Sequence, residues 1–182
     1  MNSILILIII TIGIYIAIYI TAPLLIFFHE LGHAIAFLIL TRSNKIDIHI
    51  GSYGDEMSKF NFKIGRLHFH ISPTFSIKGG GMCSSDKMTN NYIKGIIILL
   101  AGPLFTVILS SLLGFFIFNS ELHGAIKFYF FCLIICAFIG LWTDLVPRII
   151  KEHNLYNDGK QILFIYRIRQ NFSNYVVARQ HL

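Results

Sequence analysis

Charge is what this 182-residue chain has least of. Only 13% of its residues are Asp, Glu, Lys or Arg, against 55% hydrophobic, where an ordinary soluble domain carries about 25% charged residues. That scarcity excludes a water-soluble globule. Cysteine is scarce too, and its three copies give no disulfide framework: Cys132 and Cys136 share one face of an apolar segment as small packing groups, and Cys83 falls in a region expected to face the cytoplasm. There is no internal repeat, no low-complexity linker, and no Lys or Arg before residue 42. A secretory signal peptide, which needs a positive n-region, is therefore not expected.

What is present in excess is long apolar sequence. A bilayer span needs roughly 20 apolar residues, and three stretches qualify: about 4–40, 96–118 and 128–147. The chain reads as one membrane-embedded domain, 1–182, an α-helical integral membrane protein with a three-helix core, or four if the first run divides in two. At about 1.5 Å per residue a helix over 4–40 would be some 55 Å long, against a hydrocarbon core of roughly 30 Å. Pro23 can kink it, but no polar loop interrupts it, so a single long helix is expected, with its N-terminus outside.

The basic residues set the orientation. The 41–95 region and the segment 148–182 each carry a net charge of +4, while the turn 119–127 is neutral. Lys and Arg favour cytoplasmic loops. The net +6 is thus a topology signal with some attraction to anionic lipid, and not a nucleic-acid footprint.

Residues 45–81 form the polar lobe. Ile46-Asp47-Ile48-His49-Ile50, Phe60-Asn61-Phe62-Lys63-Ile64 and Leu67-His68-Phe69-His70-Ile71 alternate apolar with polar, the period of strands. A small membrane-associated antiparallel sheet is expected, ended by Gly79-Gly80-Gly81.

The chemistry starts at Glu30. His29-Glu30-Leu31-Gly32-His33 is an HExxH motif: on a helix its histidines stand at i and i+4, able to bind one Zn²⁺, with the carboxylate beside them as general base. Three ionisable groups are costly in an otherwise uncharged run and are functional candidates there; the plainer alternative is a polar cluster that glues helices together. Catalytic zinc usually takes a third protein ligand. Asp158, Asp144, Glu152, His153, His49, His68 and His70 are all candidates, and spacing does not choose among them. Asn157-Asp158-Gly159 by itself reads as a tight turn, and the His68/His70 pair as a solvated strand face.

These residues resemble the site-2 protease family of intramembrane zinc metalloproteases, in its smaller bacterial branch. The resemblance is carried by the membrane-embedded HELGH, by Ala101-Gly102-Pro103, and by Leu145-Val146-Pro147 followed by Asp158-Gly159, and spans about residues 24–168. It implies that His29, His33 and Asp158 are the zinc ligands and Glu30 the catalytic residue, which takes a proton from the attacking water and passes it to the leaving amine. It also implies a substrate that is a membrane-spanning or membrane-associated peptide; with no inserted peptide-recognition module in the sequence, substrates are expected to arrive already trimmed or to be delivered by an accessory protein. One position departs from the family: Asp144 stands where an Asn is usual, leaving it an oxyanion-contacting or second-shell role, or that of a ligand. The stretch from Pro147 to Asp158 reads as a polar loop returning to the metal.

A buried scissile bond must be unwound before hydrolysis, and an extended substrate segment pairing with an edge strand of the 46–77 sheet would do this. The other class of function is a catalytically inactive, metal-binding membrane scaffold that recognises a partner. A zinc transporter has too few polar residues here to line a path. The Ile, Asn and Lys usage is compatible with an AT-rich bacterial source, and hence a bacterial cell membrane, with lobe and C-terminus cytoplasmic.

Overall fold

The structure, a computed structural model, describes residues 3–54, 60–72, 80–87, 89–150 and 155–180. The first apolar run is one continuous helix, α1 (Ser3–Leu40), which contains Pro23. Its 38 residues make it far longer than a bilayer core is thick. The polar lobe follows as β1 (Ile46–Ile50), β2 (Phe60–Ile64), β3 (Leu67–Ile71) and β4 (Gly81–Ser85), and then come α2 (Tyr92–Phe118) and α3 (Gly124–Leu145). The chain closes with the strand pair β5 (Ile149–Ile150) and β6 (Leu155–Tyr156) and helix α4 (Asp158–Gln180). Three helices, α1 to α3, are long and apolar enough to cross a membrane.

Both later spans begin earlier than their apolar runs. Asn91 caps α2, its side-chain oxygen accepting from the Ile93 and Lys94 amides, and His123 caps α3 through the Ala125 amide. A cap satisfies amides that would otherwise lack partners, so each helix starts at its cap and not at its first apolar residue. At the other end α3 stops at Leu145, because Pro147 disfavours helical backbone at Val146, which is extended.

The lobe corrects two expectations. Its strand order is β2-β3-β1-β4, and β1 runs parallel to β3, so the sheet is mixed and not antiparallel. The β2–β3 turn at Gly65, whose φ of +59° suits glycine, makes a local hairpin that docks on β1 through β3. Alternation within each strand specified the elements but not this pairing. Nor does the glycine run end the sheet: Gly81 opens β4, which pairs antiparallel with β1 and forms an edge among the described residues.

The lobe sits on α1 through its inner face. Ile46, Ile48 and Ile50 of β1 and Phe69 of β3 are buried with Ala34, Ala36 and Phe37 of α1. Burying each isoleucine contributes about 1.5–3 kcal/mol, enough to fix the sheet against the helix segment that carries the HExxH motif. Gly32 sets the α1–α2 distance, since a Cβ there would overlap the Ala101 carbonyl, Gly102 and Phe105. Small residues at such crossings allow backbones to approach closely.

Candidate metal centre

The HExxH helix turns both histidines to one side. His29 Nε2 and His33 Nε2 stand 3.0 Å apart, and Asp158, at the start of α4, brings Oδ2 to 3.1 Å from the first and 3.4 Å from the second. Among the described residues this is the one group of three or more such side chains with converging ligand atoms. Of the other candidate third ligands, His49, His68 and His70 lie on the lobe's outer face, with His70 between Asp47 and Asn61 at 2.9 Å each. Glu152 and His153 fall outside the described residues.

The residues present fit a zinc ion. His33 Nδ1 donates to the Ile98 carbonyl of α2 at 2.7 Å, which leaves the Nε2 lone pair aimed into the triad. His29 Nδ1 lies 3.4 Å from Asp144 Oδ2, so its Nε2 is the nitrogen left for the triad. Two imidazole lone pairs and a carboxylate oxygen facing one another repel unless a cation or proton lies between them. Their separations are close to the ~3.4 Å expected between tetrahedral ligands bound at about 2.0–2.1 Å. At Asp158, burial alone would raise the carboxyl, but the hydrogen bonds and charge of His29 and His33 outweigh it and hold it far below the usual carboxylate range.

Asp144 therefore stands behind a histidine. Its second oxygen is 3.9 Å from Arg148, four residues on, and its carboxylate lies within ion-pair reach of His29 Nδ1, on the side of the ring away from the triad, where a partner can orient an imidazole.

Glu30 is 5% exposed and points at the lobe: a Cβ on Gly81 would run into its Cγ and Oε1. Gly102 has the same relation to the His33 ring. Both glycines leave room for a functional side chain, a role that the sequence did not reveal. Glu30, the triad, Asp144 and β4 all line one cleft of about 870 Å³. Burial, the nearby Glu30 and Asp47 push the Cys83 thiol, on β4, well above its ordinary range; such a thiol is a poor nucleophile.

Sequence reasoning also missed Asn157. It is buried, and its amide nitrogen lies 3.2, 3.0 and 2.8 Å from the carbonyls of Thr143, Asp144 and Val146. The motif looked like a turn because those partners are more than ten residues away.

Among the described residues, fold and site together define three helices long and apolar enough to span a membrane and a His29-His33-Asp158 triad able to hold a metal ion, set between α1 and α4. Compared with protein-family models, curated proteins and solved structures, the chain matches none.

Proposed function

We propose that this protein is an intramembrane zinc metalloprotease of the site-2 protease type, hydrolysing peptide bonds in membrane-spanning or membrane-associated substrates. The observation that carries the reading is the convergence of His29, His33 and Asp158 in a cleft that also contains Glu30. His29, His33 and Asp158 would hold one Zn²⁺, which when bound supplies Lewis acidity to a peptide carbonyl and to water. Glu30 takes the proton of the attacking water and delivers it to the leaving amine. Ile98 and Asp144 keep the two imidazoles turned toward the metal.

The edge of β4, open among the described residues, is the natural place for an extended substrate. The bonds from the Gly51 amide to the Gly80 carbonyl and from the Asp86 amide to the Lys45 carbonyl, with the antiparallel register, leave the main-chain groups of Gly81 and Cys83 directed away from β1. A peptide strand added there would run along the same cleft as Glu30. By the distribution of Lys and Arg, the lobe and α4 face the cytoplasm.

The test is cleavage of a panel of single-span peptides by the zinc-supplemented protein, with Glu30→Gln alongside. Wild-type cleavage that the variant abolishes while still binding zinc is the expected result. Cleavage that survives in Glu30→Gln contradicts the assigned base, and zinc bound without cleavage by either protein favours the scaffold reading.

A further inference from the structure

Helix α3 ends where its carbonyls have no partners in the next turn, and α4 begins where its first amides have none. One side chain serves both ends. The Asn157 amide nitrogen lies within 3.2 Å of the Thr143, Asp144 and Val146 carbonyls. Its oxygen accepts from the Lys160 amide in the first turn of α4 at 3.1 Å and from the Arg148 amide at 2.9 Å. Its own amide and carbonyl add bonds to the Arg148 carbonyl and from the Gln161 amide. The two helix ends meet so closely that a Cβ on Gly159 would overlap the Leu145 carbonyl.

The residues at this junction are Asp144, in the last turn of α3, and Asp158, the first residue of α4. One faces Nδ1 of His29 and the other faces Nε2 of the same ring. Resting on the zinc reading above, we infer that Asn157 is a positioning residue which sets the metal ligand Asp158 and the outer carboxylate Asp144 as one unit on either side of His29. It touches neither metal nor substrate in this role; it fixes the spacing of the two carboxylates by tying their main chains together.

A plain helix cap would make a different prediction. Aspartate caps helices as well as asparagine does, and Asn157→Asp keeps an oxygen for the Lys160 and Arg148 amides. It replaces the donating nitrogen with an oxygen that faces three carbonyls. If Asn157 were only a cap, Asn157→Asp would bind metal like wild type. As a positioning residue, its loss should weaken zinc binding by about 10–100-fold, the usual effect of removing an outer-sphere partner.

The experiment is chelator competition for Zn²⁺ on purified full-length wild type, Asn157→Asp and Asn157→Ser, with the visible spectrum of the Co²⁺ forms and with Asp158→Asn as background. The expected results are weakened binding and an altered Co²⁺ spectrum in both Asn157 variants at unchanged helix content. Asn157→Asp should add less than its full loss to Asp158→Asn, because one of the two carboxylates it positions is already gone. Wild-type affinity and spectrum in Asn157→Asp would overturn the inference while leaving the zinc site standing. Loss of helix content in both variants would also overturn it, by showing that Asn157 holds the fold and not the site. Failure of the wild type itself to bind zinc would remove the zinc reading, and this inference with it.

Discussion

His29 is held between two carboxylates, with Asp144 3.4 Å from its Nδ1 and Asp158 3.1 Å from its Nε2. The ring cannot rotate without losing one of them, and the two acids are assigned different tasks. Asp158→Asn should reduce bound zinc to well under one equivalent, whereas Asp144→Asn should keep one equivalent at an affinity about 10-fold weaker, because an amide oxygen can still face Nδ1 without the charge. Metal content and chelator competition on the two variants check this. Loss of zinc in Asp144→Asn alone would exchange the assignments.

The two glycines against functional side chains should separate metal binding from catalysis. Gly102→Ala pushes a methyl into the His33 ring, so weaker zinc binding is expected, with a loss of stability of about 1–3 kcal/mol from overpacking. Gly81→Ala pushes against Glu30 instead. It should keep zinc and lose turnover, as measured by metal content beside peptide cleavage.

Proline can test the β4 edge without breaking the sheet. Cys83 directs its amide away from β1, and proline is tolerated on an edge whose N–H faces outward. Cys83→Pro should therefore leave zinc content unchanged and lower peptide cleavage. Met82→Pro removes an amide that pairs with β1 and should destabilise the lobe. Equal cleavage by Cys83→Pro and wild type would rule out strand addition at β4.

Acid should loosen the lobe through Asp47. Burial alone would raise this carboxyl, but its bonds to Lys45 and His70, 2.9 Å each, outweigh it and hold the group below the ordinary carboxylate range. A depressed carboxylate contributes stability that is present above its unfolded value, about 3.9, and is lost as pH falls through the folded one. Hydrogen exchange of β1 and β3 amides should accelerate in wild type as pH drops below about 4, relative to the intrinsic rate. In Asp47→Asn it should already be faster at neutral pH and depend less on acid.

The sequence made some of this legible for physical reasons. HELGH was readable because a helix places i and i+4 on one face, and the structure brings His29 and His33 together as that spacing requires. Alternation in Ile46–Ile50, Phe60–Ile64 and Leu67–Ile71 marked three strands. It could not show that β1 and β3 run parallel, since pairing direction depends on how a hairpin docks and not on local period. Gly-Met-Cys-Ser-Ser has neither alternation nor β-branched residues, so β4 was invisible, although it forms the wall beside Glu30. Helix α4 was missed as well, because Lys160, Arg167 and Arg169 interrupt its apolar residues. Spacing alone left Asp158 one of seven candidates and the resemblance singled it out; in the structure its carboxylate converges with His29 and His33 while the lobe histidines lie elsewhere. Asn157 carried only a turn signal, because the carbonyls its side-chain nitrogen binds lie more than ten residues away.

The site also has an order of assembly. Both histidines and Glu30 belong to α1, while Asp158 opens α4 and the asparagine that positions it immediately precedes it, both translated well over a hundred residues later. During synthesis α1, α2 and α3 are all made before the junction after α3 that carries Asp158. Hydrolytic competence, on the reading proposed above, therefore waits on the segment that follows α1, α2 and α3.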